Sequence, residues 1–448
     1  MTFSPNEARM RQVLLDLWSQ TRADWRFVTE RLAQAFRDAR QLHSAERRQV
    51  AETIHGLVRR ARTIDHALAA VGIAPPAPGA GEITRARAHV DLVAYRVLFE
   101  GLPLTAALAD RPDVDWAAVQ LAYAEIDKIA EPERRFALRH SFPDWLAAAI
   151  MAELGPEADA FAEALNQRAP LTIRANRIKT SRDTLIGKLA EEGVTAEPTR
   201  WSTHGLNLVT RVNVFGLAAF KAGLFEVQDE ASQLVTELVQ PSTGTSLVVD
   251  ACAGAGGKTL ALGALMHNKG RLVAMDTAHH KLEELGRRAR RAGLSNHRWM
   301  VVPDDGPLPA EADKLVGKAD RVLVDAPCSG VGSMRRNPEA RWRLAPDFVA
   351  ALPDLQHRIA LRALPLVAPG GRLVYATCTT LARENEAVVA RLLEAAGEGW
   401  ERVAPKEILG RARVDGITTD DGWALRTWPH KHGMDGFFAA VIRRKAPG

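Results

Sequence analysis

Leu247-Val-Val-Asp-Ala-Cys-Ala-Gly-Ala-Gly-Gly-Lys-Thr259 is the stretch on which the reading of this chain turns. An apolar run ending in an acid, a loop with Gly254, Gly256 and Gly257, and a helical start at Lys258-Thr259 describe a strand, a tight turn and a helix N-terminus. Glycines at such a turn let backbone N–H groups approach a carboxylate or phosphate closely. A triphosphate-binding loop is the rival, since Gly257-Lys258-Thr259 ends like one. That pattern requires a glycine where this chain has Cys252.

Further along, short apolar runs recur at Arg271-Leu-Val-Ala-Met-Asp276, Trp299-Met-Val-Val302, Arg321-Val-Leu-Val-Asp325 and Arg372-Leu-Val-Tyr-Ala-Thr377, with helical stretches between them. Continuously apolar strands alternating with helices predict a mostly parallel, doubly wound sheet covered on both faces, a Rossmann-like α/β domain over residues 236–448. Phe437-Phe-Ala-Ala-Val-Ile442 reads as a late strand inserted at an edge. Sheets of this kind bind ligands beyond the carboxyl ends of their strands. Asp276 sits there, placed to accept hydrogen bonds from both hydroxyls of a ribose, with helix capping as the simpler role. Asp304 and Asp305 follow the third strand, where one carboxylate can reach an adenine amino group or both can merely be solvated.

The 448 residues contain three cysteines: Cys252 in the glycine loop, Cys328 in Asp325-Ala-Pro-Cys-Ser-Gly330, and Cys378 in Tyr375-Ala-Thr-Cys-Thr379. One such cysteine reads as a buried thiol. Two at the same sheet edge, beside a glycine-rich loop, point to nucleophilic attack on an electrophilic carbon. No close Cys-x-x-Cys pair suggests a disulfide framework or a metal site, so no metal is expected and a reducing, cytoplasmic setting is. No run approaches the roughly 20 apolar residues of a membrane span, and MTFSPNEARMRQ lacks the apolar core of a signal peptide. The net charge is +5, with arginine clusters at 47–48, 59–62, 134–135, 287–291 and 335–336; these suit a nucleic-acid partner and equally a set of solvated helix faces.

Upstream, residues 1–155 carry helical periodicity, as in Val50, Ile54, Leu57 and Val58, and read as an all-α module. Ser44 is the expected N-cap of the best of these helices, and a Pro/Gly-rich break falls at residues 72–81. Residues 156–235 read as a small α+β segment, with strands at Leu171–Asn176 and Gly205–Val214 around a helix from Thr180 to Glu192.

These segments together resemble the RNA cytosine-5 methyltransferases of the Sun/Fmu group. That family writes its loop close to Cys-Ala-Ala-Pro-Gly-Gly-Lys-Thr; here Gly254 and Ala255 depart, which predicts a somewhat more flexible loop. Asp325 to Gly330 matches the family's Asp-Ala-Pro-Cys-Ser-Gly in full, and Thr377-Cys378 with Glu384-Asn385 keeps most of its second motif. Val227-Gln-Asp-Glu-Ala-Ser232, Arg336-Asn-Pro-Glu339 with Arg341-Trp342, and Asp435-Gly-Phe-Phe438 extend the likeness. The N-terminal helices are similar to the NusB-like RNA-binding domain found in the branch of this family that acts on 16S ribosomal RNA.

The resemblance implies a monomeric RNA methyltransferase using S-adenosyl-L-methionine. Cys252, Ala253, Gly254, Ala255, Gly256, Gly257 and Lys258 would hold the methionine end of that cofactor, with Asp276 on the ribose and Asp305 or Asp304 near the adenine. Asp325, beside the cofactor, would bind the cytosine edge. Cys378 would attack C6, and Cys328 would assist release; DNA cytosine-5 methyltransferases use the Pro-Cys cysteine, so Cys328 as nucleophile is the rival assignment. Arg335, Arg336 and Arg341 would contact RNA phosphates. The alternatives are transfer RNA or another RNA as substrate, a DNA cytosine-5 methyltransferase, and a non-catalytic RNA-binding assembly factor with the same fold.

Overall fold

The computed structural model describes residues 5–77, 79 and 81–446. Residues 1–4 of the N-terminal segment, and Pro78 and Ala80 of the Pro/Gly break, lie outside the described residues. The chain forms two compact units: residues 1–168 with 334–346, and residues 169–333 with 347–448.

The first unit is helical. Its longest helix, Ser44–Ala69, buries Val50, Ile54, Leu57, Val58, Ile64 and Leu68 along one stripe at the spacing that puts them on one face. Each such side chain contributes about 1.5–3 kcal/mol on burial. Ser44 is the first helical residue and not the cap: His43 precedes the helix in extended conformation, and its N–H donates to Glu46 Oε2 at 2.7 Å. The unit also runs past residue 155. Helix Ala158–Asn166 buries Phe161, Ala162 and Leu165, which carries the boundary to Arg168.

Residues 334–346 belong to this helical unit, although they follow the Pro-Cys loop in sequence. Trp342 stacks on Trp25 with ring centroids 5.4 Å apart and donates its indole N–H to Val58 O at 2.9 Å. Glu339 accepts from Val28 N at 3.3 Å.

The second unit holds two sheets. Strands β1 (Thr172–Ala175), β2 (Ala196–Pro198), β3 (Gly205–Leu208) and β4 (Phe225–Val227) form an antiparallel sheet in the order β2-β3-β1-β4. The helix Arg182–Glu191, capped by the Ser181 side chain, buries Leu185 and Leu189 in this sheet's core.

The larger sheet comprises β5 (Leu247–Asp250), β6 (Arg271–Asp276), β7 (His297–Val301), β8 (Ala319–Asp325), β9 (Val367–Thr377), β10 (Trp400–Val403), β11 (Ala424–Arg426) and β12 (Phe438–Arg444). Its order is β10-β12-β9-β8-β5-β6-β7, with β11 paired to β12. The five strands from β5 to β9 run parallel, and β12 enters antiparallel between β9 and β10. The late strand is therefore interior and not at an edge. Phe438, Ala439, Ala440, Val441 and Ile442 are all buried, as a strand covered on both faces requires.

The order reverses at β5, the topological switch point where a crevice opens beyond the strand ends. In the β8–β9 pair, Asp325 lies opposite Ala376. The loops that follow, one carrying Cys328 and the other Cys378, thus leave the sheet side by side.

Candidate active site

The glycine loop is anchored at three atoms. Gly254 N donates to Asp276 Oδ2 at 2.8 Å, Arg288 donates to Ala255 O at 2.8 Å, and the Arg174 guanidinium donates to Gly257 O at 3.2 Å. Arg288 is itself paired with the buried Glu226 at 3.0 Å. The Gly254/Ala255 departures thus sit in a loop pinned from outside. Gly254 has φ +53° and Gly256 φ +87°, and a Cβ on Gly256 would lie 2.6 Å from Leu285 Cγ, so glycine is needed there on both counts. Space in front of Gly254 and Gly257 is open to 4 Å, ahead of the N-terminus of helix Gly257–Leu265. An anionic group fits such a place.

Asp276 Oδ1 also accepts from Ala278 N at 2.9 Å, so this acid both ties the loop and begins the next helix. Asp304 and Asp305 follow β7 in an exposed loop; Asp305 Oδ1 accepts from the N–H of Gly306 at 2.8 Å.

Beneath the loop, Asp250 at the end of β5 is fully buried, accepting from Thr259 Oγ1 at 2.7 Å while Oδ1 has no partner. Burial, with the nearby Asp325 charge, pushes its carboxyl up to about 7. The Cys252 thiol is likewise driven up by burial and by the surrounding acids Asp250, Asp325 and Asp276. It packs with the apolar side chains of the sheet, and a thiol held in its neutral form is a poor nucleophile.

Lys258 reaches across to Asp325, Nζ to Oδ2 at 2.7 Å, and its ammonium lies 5.2 Å from the Phe437 ring centre. Burial works against the charged amine, but Asp325 outweighs it and holds the Lys258 pKa above its ordinary value. One ion pair thus joins the glycine loop to the strand end that carries the Pro-Cys segment.

Cys328 Sγ and Cys378 Sγ are 3.4 Å apart, and Cys378 N–H points to Cys328 Sγ at 3.4 Å. The two sulfurs have opposite electrostatics. The hydrogen bond from Cys328 holds the Cys378 thiol below its ordinary value despite burial. That same hydrogen bond and burial raise Cys328 well above it. Close packing fixes the surrounding loops: Gly332 N donates to Cys378 O at 3.0 Å, Gly436 N donates to Gly332 O at 2.8 Å, and a Cβ on Gly332 would fall 2.0 Å from Gly436 O. Asp229 Oδ1 caps helix Glu230–Val239 and accepts from Asp435 N at 3.1 Å, joining residues 227–232 to residues 435–438.

Two of the three arginines expected to touch RNA do not face outward. Arg341 is fully buried in the helical unit, donating to His140 O and Ser141 O at 3.3 Å and to Asn166 Oδ1 at 2.8 Å, with its guanidinium 4.2 Å from the Phe142 ring centre. Arg335 is also buried, and its carbonyl accepts from Arg59 at 3.2 Å. Both are corrected to packing roles, since a side chain enclosed by protein cannot reach a phosphate. Arg336 is partly exposed.

Against known proteins, a model described as 16S rRNA methyltransferase RsmB/F matches residues 237–443, and one described as the RsmF/B-like ferredoxin-like domain matches residues 142–215. The probable ribosomal RNA small subunit methyltransferase B of Synechocystis sp. is 31% identical over 424 residues, covering 90% of this chain and 92% of its own. The chain belongs to the RsmB/F methyltransferase family. A second RsmB/F relative, the probable ribosomal RNA small subunit methyltransferase B of Bacillus subtilis, is 32% identical, covering 71% of this chain and 70% of its own. The fold is shared with the crystal structure of NSun6 from Pyrococcus horikoshii with SFG, at 21% identity and a TM-score of 0.59 over 68% of this chain and 99% of that one. Among the described residues of this RsmB/F chain no helix is long and apolar enough to cross a membrane.

Sequence reasoning named the two cysteines, the glycine loop, Asp276 and Asp325, all of which follow strands of one sheet. It assigned no role to Asp250, Glu384, Ser329 or Gln356. Asp250 carries a signal, an acid closing an apolar strand directly before the glycine loop. Gln356 lies within helix Pro346–Ala363 and carries none.

Proposed function

We propose that this RsmB/F-family chain methylates C5 of a cytosine in 16S ribosomal RNA, with Cys378 as the nucleophile. The observation that carries this reading is the cysteine pair at 3.4 Å, held by loops that leave adjacent parallel strands beside the glycine loop; the hydrogen bond between the sulfurs, which lowers Cys378, supports its role as nucleophile. S-adenosyl-L-methionine, when bound, supplies the electrophilic methyl group. The open N-terminus of helix Gly257–Leu265 suits its carboxylate, and Asp276 suits the ribose hydroxyls. Asp304 or Asp305 would serve the adenine.

Cytosine C5 is a weak nucleophile. The Cys378 thiolate adds to C6, and the electrons of the C5=C6 bond shift to C5, which would then take the methyl group while the pair of the broken methyl–sulfur bond stays on the sulfur of the departing thioether. Asp325, fixed by Lys258, holds the pyrimidine edge. In the elimination, which Cys328 assists, H5 leaves C5 as a proton, its bonding pair restores C5=C6, and the sulfur–C6 bond breaks to return the thiolate. The base must leave its stack to reach both sulfurs, so an unpaired or strained RNA segment is the fitting substrate.

The helical unit is assigned as a NusB-like RNA-binding module and the antiparallel sheet as a second RNA-binding segment, with Arg336 as a phosphate contact; the enzyme acts as a cytoplasmic monomer. The test is methylation of 16S RNA from a deletion strain, with the product mapped by bisulfite sequencing. Protection of a defined cytosine is the expected result. Label on another base, or none on RNA, overturns the proposal.

A further inference from the structure

Glu384 is fully buried, and its carboxylate gathers four donors, all of them neutral. Ser329 N donates to Oε2 at 2.9 Å, Ser329 Oγ to Oε1 at 2.5 Å, Gln356 Nε2 to Oε2 at 2.9 Å and Thr379 Oγ1 to Oε1 at 3.3 Å. Gln356 Nε2 also donates to Pro327 O at 2.9 Å. Ser329, after Cys328, and Thr379, after Cys378, therefore meet on one carboxylate, which Gln356 links to the carbonyl of Pro327, before Cys328.

The backbone at this point is held as well. Tyr375 Oη donates to Glu384 O at 2.6 Å, and Asn385 accepts from Thr377 Oγ1 at 2.5 Å while donating to Thr379 O at 3.1 Å. Among the described residues no lysine or arginine pairs with Glu384. Burying a carboxylate without a cation costs several kcal/mol, but both of its oxygens receive donors here, and a neutral amide would set its own N–H groups against two of them. The position calls for a group that only accepts hydrogen bonds.

We propose that Glu384 is a positioning residue that clamps the Pro-Cys loop to the Thr-Cys loop and, by its charge beside Cys328, leaves the thiolate to Cys378. The inference rests on Cys378 being the nucleophile. Hydrogen bonds to Ser329 N and Oγ set the carboxylate next to Cys328, where a second negative charge is disfavoured; Cys328 then stays a thiol and donates to Cys378. The other charged or titratable groups facing the pair are Asp325 and Lys258 on the Cys378 side and Tyr375 on the Cys328 side. Glu384 is among the causes that raise Cys328, after the hydrogen bond to Cys378, burial and the charge on Cys378.

The experiment is alkylation of the full-length protein by iodoacetamide across pH, with each cysteine quantified by peptide mass spectrometry, alongside methylation kinetics. Wild type is labelled first at Cys378. In Glu384→Gln the ratio of Cys378 to Cys328 labelling falls at least tenfold and kcat drops, with KM for RNA little changed. Glu384→Asp, which keeps the charge but draws it back, lies between the two. An unmoved ratio in folded Glu384→Gln overturns the proposal. Should that variant not fold, Glu384→Asp carries the test, and Cys328 labelling no higher than in wild type is the overturning result. Wild type labelled first at Cys328 would instead sink the assignment of Cys378 as nucleophile, which keeps the two failures distinct.

Discussion

Cys328 Sγ lies 3.4 Å from Cys378 Sγ because their loops leave adjacent parallel strands in register, Asp325 opposite Ala376. The arrangement makes the order of the two thiols testable. Cys378→Ala is expected to abolish methyl transfer and form no covalent RNA adduct. Cys328→Ala is expected to methylate once, release product slowly, and run with RNA as a denaturant-resistant complex when supplied with S-adenosyl-L-methionine. The reverse pattern in a denaturing gel would move the nucleophile to Cys328.

Asp276 holds Gly254 N and Ala278 N, 2.8 and 2.9 Å away. Asp276→Ala removes any cofactor contact and also frees the loop. With a charge-assisted hydrogen bond worth about 1.5–3 kcal/mol, the dissociation constant for S-adenosyl-L-methionine should rise about tenfold or more. Isothermal titration of the folded mutant checks this, and unchanged affinity would reduce Asp276 to a helix cap.

Asp250 predicts a pH effect on stability. Its folded carboxyl titrates near 7, against about 3.9 in an unfolded chain. Between those values the native state keeps a proton that the unfolded state has released, so this group lowers stability as pH rises through the window. Asp250→Asn should therefore stabilise the protein more at pH 8 than at pH 5, by about 2 kcal/mol or more. Urea midpoints of both proteins at the two pH values decide it; an equal gain at both would contradict the buried-acid account.

Arg341 and Arg336 should separate cleanly. Arg341→Ala takes the donor from Asn166 Oδ1 and Ser141 O and opens a cavity, a cost of about 2–4 kcal/mol seen as a lower Tm. Arg336→Ala should weaken RNA binding and reduce the slope of log K against log salt by about 0.7–0.9. A salt slope unmoved by Arg336→Ala would remove it from the RNA contacts.

A deletion of the helical module is informative only with the boundary at residue 168. Even then it strips Trp342 and Arg341 of their partners. The truncated protein is expected to bind S-adenosyl-L-methionine within a few-fold of the full chain, to lose RNA affinity, and to aggregate unless Arg341 and Trp342 are also replaced by smaller polar residues. Loss of cofactor binding in a folded truncation would contradict the division of labour.

Local pattern was enough to read the parallel sheet, the glycine loop and the two strand-end cysteines, because each is written in contiguous residues: apolar runs that must be buried on both faces, glycines that permit positive φ, and thiols at the carboxyl ends of strands. The sequence likewise marked Asp276 by its place at a strand end, while the role of Asp325 came from the family resemblance. What it could not determine depends on residues far apart in the chain. Arg341 looks like any basic surface residue until the segment 334–346 folds into the helical unit and encloses it. The late strand Phe438–Arg444 looks like an edge addition until β10 covers its far side. The difference between the two cysteines, identical as letters, arises from a hydrogen bond between sulfurs 50 residues apart and from the different charged groups around each, Asp325 and Lys258 near Cys378 and Glu384 near Cys328, since protonation is set by burial and neighbouring charge in three dimensions and not by the residues next along the chain.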